Sequence, residues 1–222
     1  MKRFIIIVMI LASMAVCVAI AHAEPGSKVL LIPREGNSRD LELMLTKEVG
    51  VMVAMLEKAG FEVVVATASG APIMATNTTL KPDLKLADVK IANYAGLIMA
   101  CMAVGLFPGT PQPPETAAIV KQVEAEGKPI AAQLGAVIVL AEAGILIGRR
   151  YAFVWDPLGP SAGPYKDPRF AGAIYGGNNV VQDGNIITSG VCPFIRKTRG
   201  LPDATSELTQ GFIAELKKQK KP

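Results

Sequence analysis

Apolar and polar positions follow two alternating regimes along the chain. Short runs of consecutive apolar residues occur at 28–33 (KVLLIP), 61–67 (FEVVVAT), 96–101 (GLIMAC) and 129–132 (PIAA). Runs this short, rich in branched residues, predict strands covered on both faces. Between them the apolar residues recur with helical spacing. One stripe of Leu41, Leu45, Val49, Met52, Val53 and Leu56 predicts a helix over about 40–59, stopped by Gly60. Further helices are predicted over 115–126, stopped by Gly127, and from Gly135 to a close at Gly144. A last one covers about 207–218, capped by Asp203 or Ser206. Residues 150–155 predict one more strand. The 179–189 stretch predicts a hairpin, NVVQ and NIITS around Asp183-Gly184. Residues 69–79 read as loop, with only a formal glycosylation sequon at Asn77. Residues 81–89 alternate weakly, and the Pro- and Gly-dense 156–177 predict a long ordered loop. Strands alternating with helices, with no internal repeat or linker, specify an α/β domain. It is a three-layer, doubly wound, mostly parallel sheet with one appended hairpin.

The N-terminus departs from this pattern. Lys2 and Arg3 precede an unbroken apolar run, residues 4–20, and Ala21-His22-Ala23 fits a small-x-small cleavage site. This predicts a signal peptide over 1–23 and an exported, periplasmic or secreted mature domain over 24–222. The alternative is an uncleaved anchor, since an apolar run of about 17 residues is near the lower limit for a span. Cys17 follows Val16, which argues against a lipoprotein site. Losing Lys2 and Arg3 takes the 23 basic residues to 21, against 19 acidic ones. That balance has no basic stripe for nucleic acid. The basic tail 217–221 reads as a solvated terminus.

Removing the signal also removes the only histidine, His22. A Ser-His-Asp or Cys-His mechanism within one chain is thereby excluded. No zinc site of the usual ligands is expected, and neither a metal nor another cofactor is implied. Two cysteines remain, Cys101 and Cys192. Three states stay open for them: a structural disulfide, two buried free thiols, or a redox-active thiol.

The segment 127–150, GKPIAAQLGAVIVLAEAGILIGRR, has the form of the strand–turn–helix that displays a nucleophile. Its apex is Gln133, Leu134 and Gly135, and none of these can attack a substrate. Gln133 is placed to bond a ligand or Glu48, or to cap its own turn. Glu48 falls on or beside the apolar stripe of the first helix, an uncommon place for a carboxylate; the alternative is an edge position reaching water. Arg34, Arg149, Arg150 and Arg196 are possible anion contacts, against the commoner reading of exposed ion pairs. Trp155, Tyr165 and Tyr175 flank the Pro/Gly-rich loop and either line a cleft or pack that loop on the sheet.

Four segments in order, LEKAGFEVVVATASG, KPDLKLADVKIANYAGLIM, GKPIAAQLGAVIVLAEAGILIGRR and NVVQDGNIITSG, resemble the ThiJ/PfpI family, which includes the Parkinsonism-associated deglycase. The resemblance spans nearly all of residues 28–215 and implies the flavodoxin-like, class I glutamine amidotransferase-like fold. It places the family's nucleophilic cysteine on Leu134 and the histidine after it on Gly135. Its glycine-rich oxyanion stretch falls on Ala100, Cys101 and Met102, and its helix glutamate on Glu48. The connection at 34–44 looks longer than the family's, so no binding residue is carried over there.

The reading is therefore a degenerate, homodimeric member of that family, a pseudoenzyme. It would bind a small molecule or another protein at a vestigial pocket of Glu48, Cys101, Met102, Gln133, Leu134, Gly135 and Cys192. The alternative is a hydrolase-like, deglycase-like or redox enzyme with relocated thiol chemistry, Cys192 or Cys101 acting with Glu48. A holdase-type chaperone is the third reading.

Overall fold

The computed structural model describes residues 28–36, 40–102, 113–154 and 167–219. The predicted signal segment, Trp155, Tyr165 and Lys220-Lys221 lie outside them. Strand β1 (Lys28–Ile32) leads into a helix in three parts: α1 (Leu41–Leu43), a π-helical stretch Met44–Val49, and α2 (Gly50–Lys58). Then come β2 (Glu62–Thr67), the small pair β3 (Ile73–Met74) and β4 (Thr79–Leu80), and the short β5 (Leu84–Lys85). After β6 (Gly96–Met99) follow α3 (Pro114–Ala125), β7 (Ile130–Gln133) and α4 (Gly135–Glu142). The chain continues through β8 (Arg150–Tyr151), β9 (Ile174–Tyr175), β10 (Val180–Asp183) and β11 (Ile186–Ser189). It ends in α5 (Pro193–Arg199) and α6 (Thr205–Gln219).

Seven strands form one sheet in the order β10-β11-β7-β6-β1-β2-β5. All neighbours are parallel except β10, which pairs antiparallel with β11. Side chains of a strand alternate between faces, so β1 feeds two cores. Leu30 and Ile32 join Val120 and Val123 of α3 and Val137 and Ile138 of α4 on one face. Val29 and Leu31 join Met52 and Leu56 of α2 and Leu208, Phe212 and Leu216 of α6 on the other. The molecule is thus the three-layer α/β sheet that the sequence predicts.

Several details differ. The first helix is interrupted by a π turn, a backbone widening that side-chain spacing does not encode. The strand expected over 150–155 is reduced to Arg150–Tyr151. It pairs in parallel with β9, which lies in the segment read as loop. The hairpin turn sits one residue later than expected, because Asp183 pairs with Ile186 and leaves Gly184-Asn185 as the loop. Helix α5 is an addition that its Pro193 start and Gly200 stop could have announced.

Candidate functional site

In a doubly wound sheet, ligands and catalytic groups collect beyond the C-terminal ends of the strands, where the winding reverses. Here β1 delivers Arg34, β6 delivers Cys101 and Met102, β7 delivers Gln133 and Leu134, and β11 delivers Cys192. Glu48 comes from the π-helical stretch above them. All are buried: Arg34 is 2% exposed, Glu48 1%, Cys101 3%, Met102 2%, and Gln133, Leu134 and Cys192 0%.

The turn between β7 and α4 keeps an unusual backbone. Leu134 sits at φ 45°, ψ −105°, and is the one described non-glycine residue with positive φ. That conformation costs a residue with a Cβ roughly 1–3 kcal/mol and persists only where its surroundings hold it. They do. The Leu134 N–H donates to the Ser189 carbonyl at 2.6 Å, its side chain is fully buried, and Gly135 begins α4 directly after it. A Cβ on Gly135 would stand 2.0 Å from the Met102 carbonyl oxygen. The backbone after β6 therefore presses onto the start of α4, and only glycine permits it.

Glu48 does not reach water. One carboxyl oxygen, Oε1, accepts the backbone N–H of Cys101. Burial pushes its carboxyl well above the usual carboxylate range, and the neighbouring Cys101 adds to this; the Cys101 N–H and Arg34 oppose it. Gln133 bonds neither Glu48 nor its own turn. Its Nε2 donates to the Val191 carbonyl at 2.8 Å and to Thr205 Oγ1 at 2.9 Å, tying β7 to the start of α6. Arg34 is not an exposed ion-pairing residue but a buried one, paired with Asp40 at 2.9 Å. Sequence reasoning missed this inward turn, since nothing in a Pro-Arg-Glu stretch distinguishes a buried arginine. Arg149 conforms to the commoner reading, pairing with Glu124 at 2.8 Å on the surface. Tyr175 packs edge-on against Tyr151, with ring centroids 5.9 Å apart.

The two cysteines are buried free thiols. The Cys192 side chain hydrogen-bonds Cys101, which draws the Cys101 thiol below its ordinary value despite burial; Arg34 and the Gly135 N–H act in the same direction. Burial and the neighbouring Cys101 push the Cys192 thiol well up. Gly190, two residues before Cys192, lies in tightly packed backbone. A Cβ there would stand 2.5 Å from backbone atoms of Phe153 and Val154, so the chain entering Cys192 lies flush against that segment. Among the described residues, no group of three or more His, Cys, Asp or Glu side chains is placed to hold a metal ion.

The model of the DJ-1/PfpI family matches residues 36–195, which include Glu48, the β7–α4 turn and both cysteines. The chain belongs to the DJ-1/PfpI family. An uncharacterized protein of Archaeoglobus fulgidus is 35% identical over 162 residues, covering 72% of this chain and 87% of that protein. One from Methanocaldococcus jannaschii is 27% identical over 195 residues, covering 85% and 89%. The crystal structure of a ThiJ/PfpI domain protein from Brachyspira murdochii superposes with a TM-score of 0.63 at 16% identity, over 86% of this chain and 97% of that one. At that identity the likeness is one of fold. Within the DJ-1/PfpI fold of this chain, the turn between β7 and α4 is present as backbone, with leucine at its apex.

Proposed function

We propose that this DJ-1/PfpI protein is an exported pseudoenzyme with respect to the strand–turn–helix chemistry of its fold. Its role is to bind a small molecule or another protein, as a homodimer. The observation that carries the reading is Leu134, held at φ 45° with its side chain fully buried. The strained turn that would aim a nucleophile is intact, and the group it aims is a hydrocarbon. Two further observations support it. The Met102 carbonyl occupies the approach to Gly135, so no side chain fits at that position to act as a base. The polar groups that would meet a substrate are bonded instead to the protein itself, Glu48 to Cys101 and Gln133 to Val191 and Thr205. The basic, apolar and small-residue order of positions 1–23 supports export.

The test is an assay of the protein from its expressing host against α-dicarbonyls, glycated amines and peptides. No turnover above the buffer blank is expected. Turnover that persists through purification would overturn the pseudoenzyme reading. N-terminal sequencing of the same material checks export, with Glu24 expected as the first residue. Sedimentation equilibrium checks the dimer, with twice the chain mass expected.

A further inference from the structure

One motif of the sequence plays no part in the Leu134 site. Asn77-Thr78-Thr79 is an Asn-x-Thr sequon with no proline at its centre, and no other asparagine of the chain has serine or threonine two residues on. The segment that reads as loop is an ordered hairpin. Strands β3 and β4 pair antiparallel, Ile73 opposite Leu80 and Met74 opposite Thr79. The Ala75 N–H closes the turn by donating to the Thr78 carbonyl at 2.9 Å. The two faces of the hairpin differ. Ile73 is buried in the core that α2 and α6 share, and Leu80 packs against that core. Met74, 70% exposed, and the exposed Thr79 lie on the opposite face. The middle of the sequon is anchored from α1. The Glu42 carboxylate accepts the Asn77 backbone N–H at 2.8 Å and the Thr78 hydroxyl at 2.7 Å. Those bonds use the main chain of Asn77 and the side chain of Thr78. Among the described residues they leave the Asn77 amide and the Thr79 hydroxyl, both on exposed residues, without a hydrogen bond. The turn thus presents the two groups that the sequon requires, on a backbone that Glu42 holds in place.

We propose that Asn77 is an N-glycosylation site, with a lipid-linked oligosaccharyl diphosphate as the sugar donor. The proposal rests on the export reading above, since a sequon marks an acceptor only in an exported chain. It does not depend on the pseudoenzyme reading. In the transfer, Nδ2 of Asn77 forms a bond to the anomeric carbon of the first sugar. The bond from that carbon to the diphosphate oxygen breaks, and the lipid diphosphate leaves with its electron pair. One proton of the amide passes to solvent. One asparagine and one oligosaccharyl diphosphate thus give one glycosylated asparagine, one lipid diphosphate and one proton. The fold accommodates the product without rearrangement. The Asn77 side chain gives up no hydrogen bond within the described residues, and the Glu42 contacts to the turn do not involve it. A bulky, solubilising group suits such a surface turn. The hairpin is also a sheet of its own, outside the seven-stranded one, so the substituent interrupts no strand of the main sheet.

The test purifies the protein, expressed from the full-length chain, out of its native host and maps its peptides by mass spectrometry. The expected result is an oligosaccharide on the peptide that contains Asn77, placed on that residue by fragmentation. Asn77→Gln and Thr79→Ala should each abolish it. Thr79→Ser keeps the hydroxyl and should retain the modification. The proposal is overturned if Asn77 is unmodified in the wild-type chain, if the sugar maps to Thr78 or Thr79 instead, or if Thr79→Ala keeps wild-type occupancy. Because the wild-type map is decisive alone, a variant that fails to fold does not rescue the idea. The N-terminus of the same material separates this result from export. An unmodified Asn77 on a chain that begins at Glu24 sinks the glycan and leaves export standing. An unmodified Asn77 on a chain that keeps residues 1–23 in the cytosolic fraction sinks both. A glycan on a chain that keeps those residues upholds the site and removes only the cleavage.

Discussion

At the scale of the residue, Leu134 and Glu48 are each held by surroundings that work against their own preference. For Leu134 the cost is backbone strain, and a pair of substitutions separates strain from packing. Leu134→Ala removes buried side chain, costing about 2–5 kcal/mol, and keeps the strained backbone. Leu134→Gly removes one carbon more, the Cβ, but relieves roughly 1–3 kcal/mol of strain. The glycine variant should therefore be the more stable of the two, by about 1 kcal/mol in urea unfolding, whereas at ordinary positions glycine is the worse by about 0.5–1 kcal/mol. Equal or reversed stabilities would remove strain from the account. For Glu48 the cost is desolvation of the charged form, in the company of Cys101, Cys192, Arg34 and Asp203. Its carboxyl is raised in the fold above its ordinary 4.5, so the folded state holds the proton longer. The stability it contributes is complete below pH 4.5 and is lost as the pH rises through the folded value. Glu48→Gln keeps the oxygen that accepts the Cys101 N–H and cannot ionise. Its unfolding free energy should fall less than wild type's from pH 4.5 upward, and parallel curves would contradict this.

At the scale of the element, the contact between the end of β6 and the start of α4 governs the site. Gly135→Ala places a methyl against the Met102 carbonyl, where no side-chain rotation gives relief. The expected loss is about 1–3 kcal/mol, the usual range for overpacking, read as a lowered midpoint in urea. Gly127→Ala is a useful contrast, since a Cβ there meets nothing within 4 Å and only its backbone angle, φ 66°, is at issue. The sequence announced most elements because they obey simple periods. Apolar runs gave β1, β2, β6 and β7, and the Leu41-to-Leu56 stripe gave the first helix. It did not announce the π turn, since one extra residue per turn leaves each side chain's character unchanged. Nor did it announce Arg34, whose burial depends on Asp40 arriving from the next element. Glu48 was legible as a carboxylate on an apolar face. Its partner was not, because the Cys101 N–H lies 53 positions away along the chain.

At the scale of the whole molecule, two helical layers clamp one sheet, and the last helix is integral to one of them. Phe212 and Leu216 of α6 come within 3.1 and 3.0 Å of where a Cβ on Gly96 would stand, so α6 seats directly on β6. Phe212→Ala should cost about 3–5 kcal/mol in unfolding free energy, a loss expected of core truncation and not of a terminal appendage. The order of the sheet bears on how copies of this chain can meet. One border is a four-residue strand turned antiparallel to its neighbours, and the other, β5, is two residues long. Neither offers a long row of unpaired amides for another chain to continue. The sheet is in effect hemmed at both sides. The proposed homodimer would then rest on side chains and not on strand pairing, which ties oligomeric state to surface substitutions.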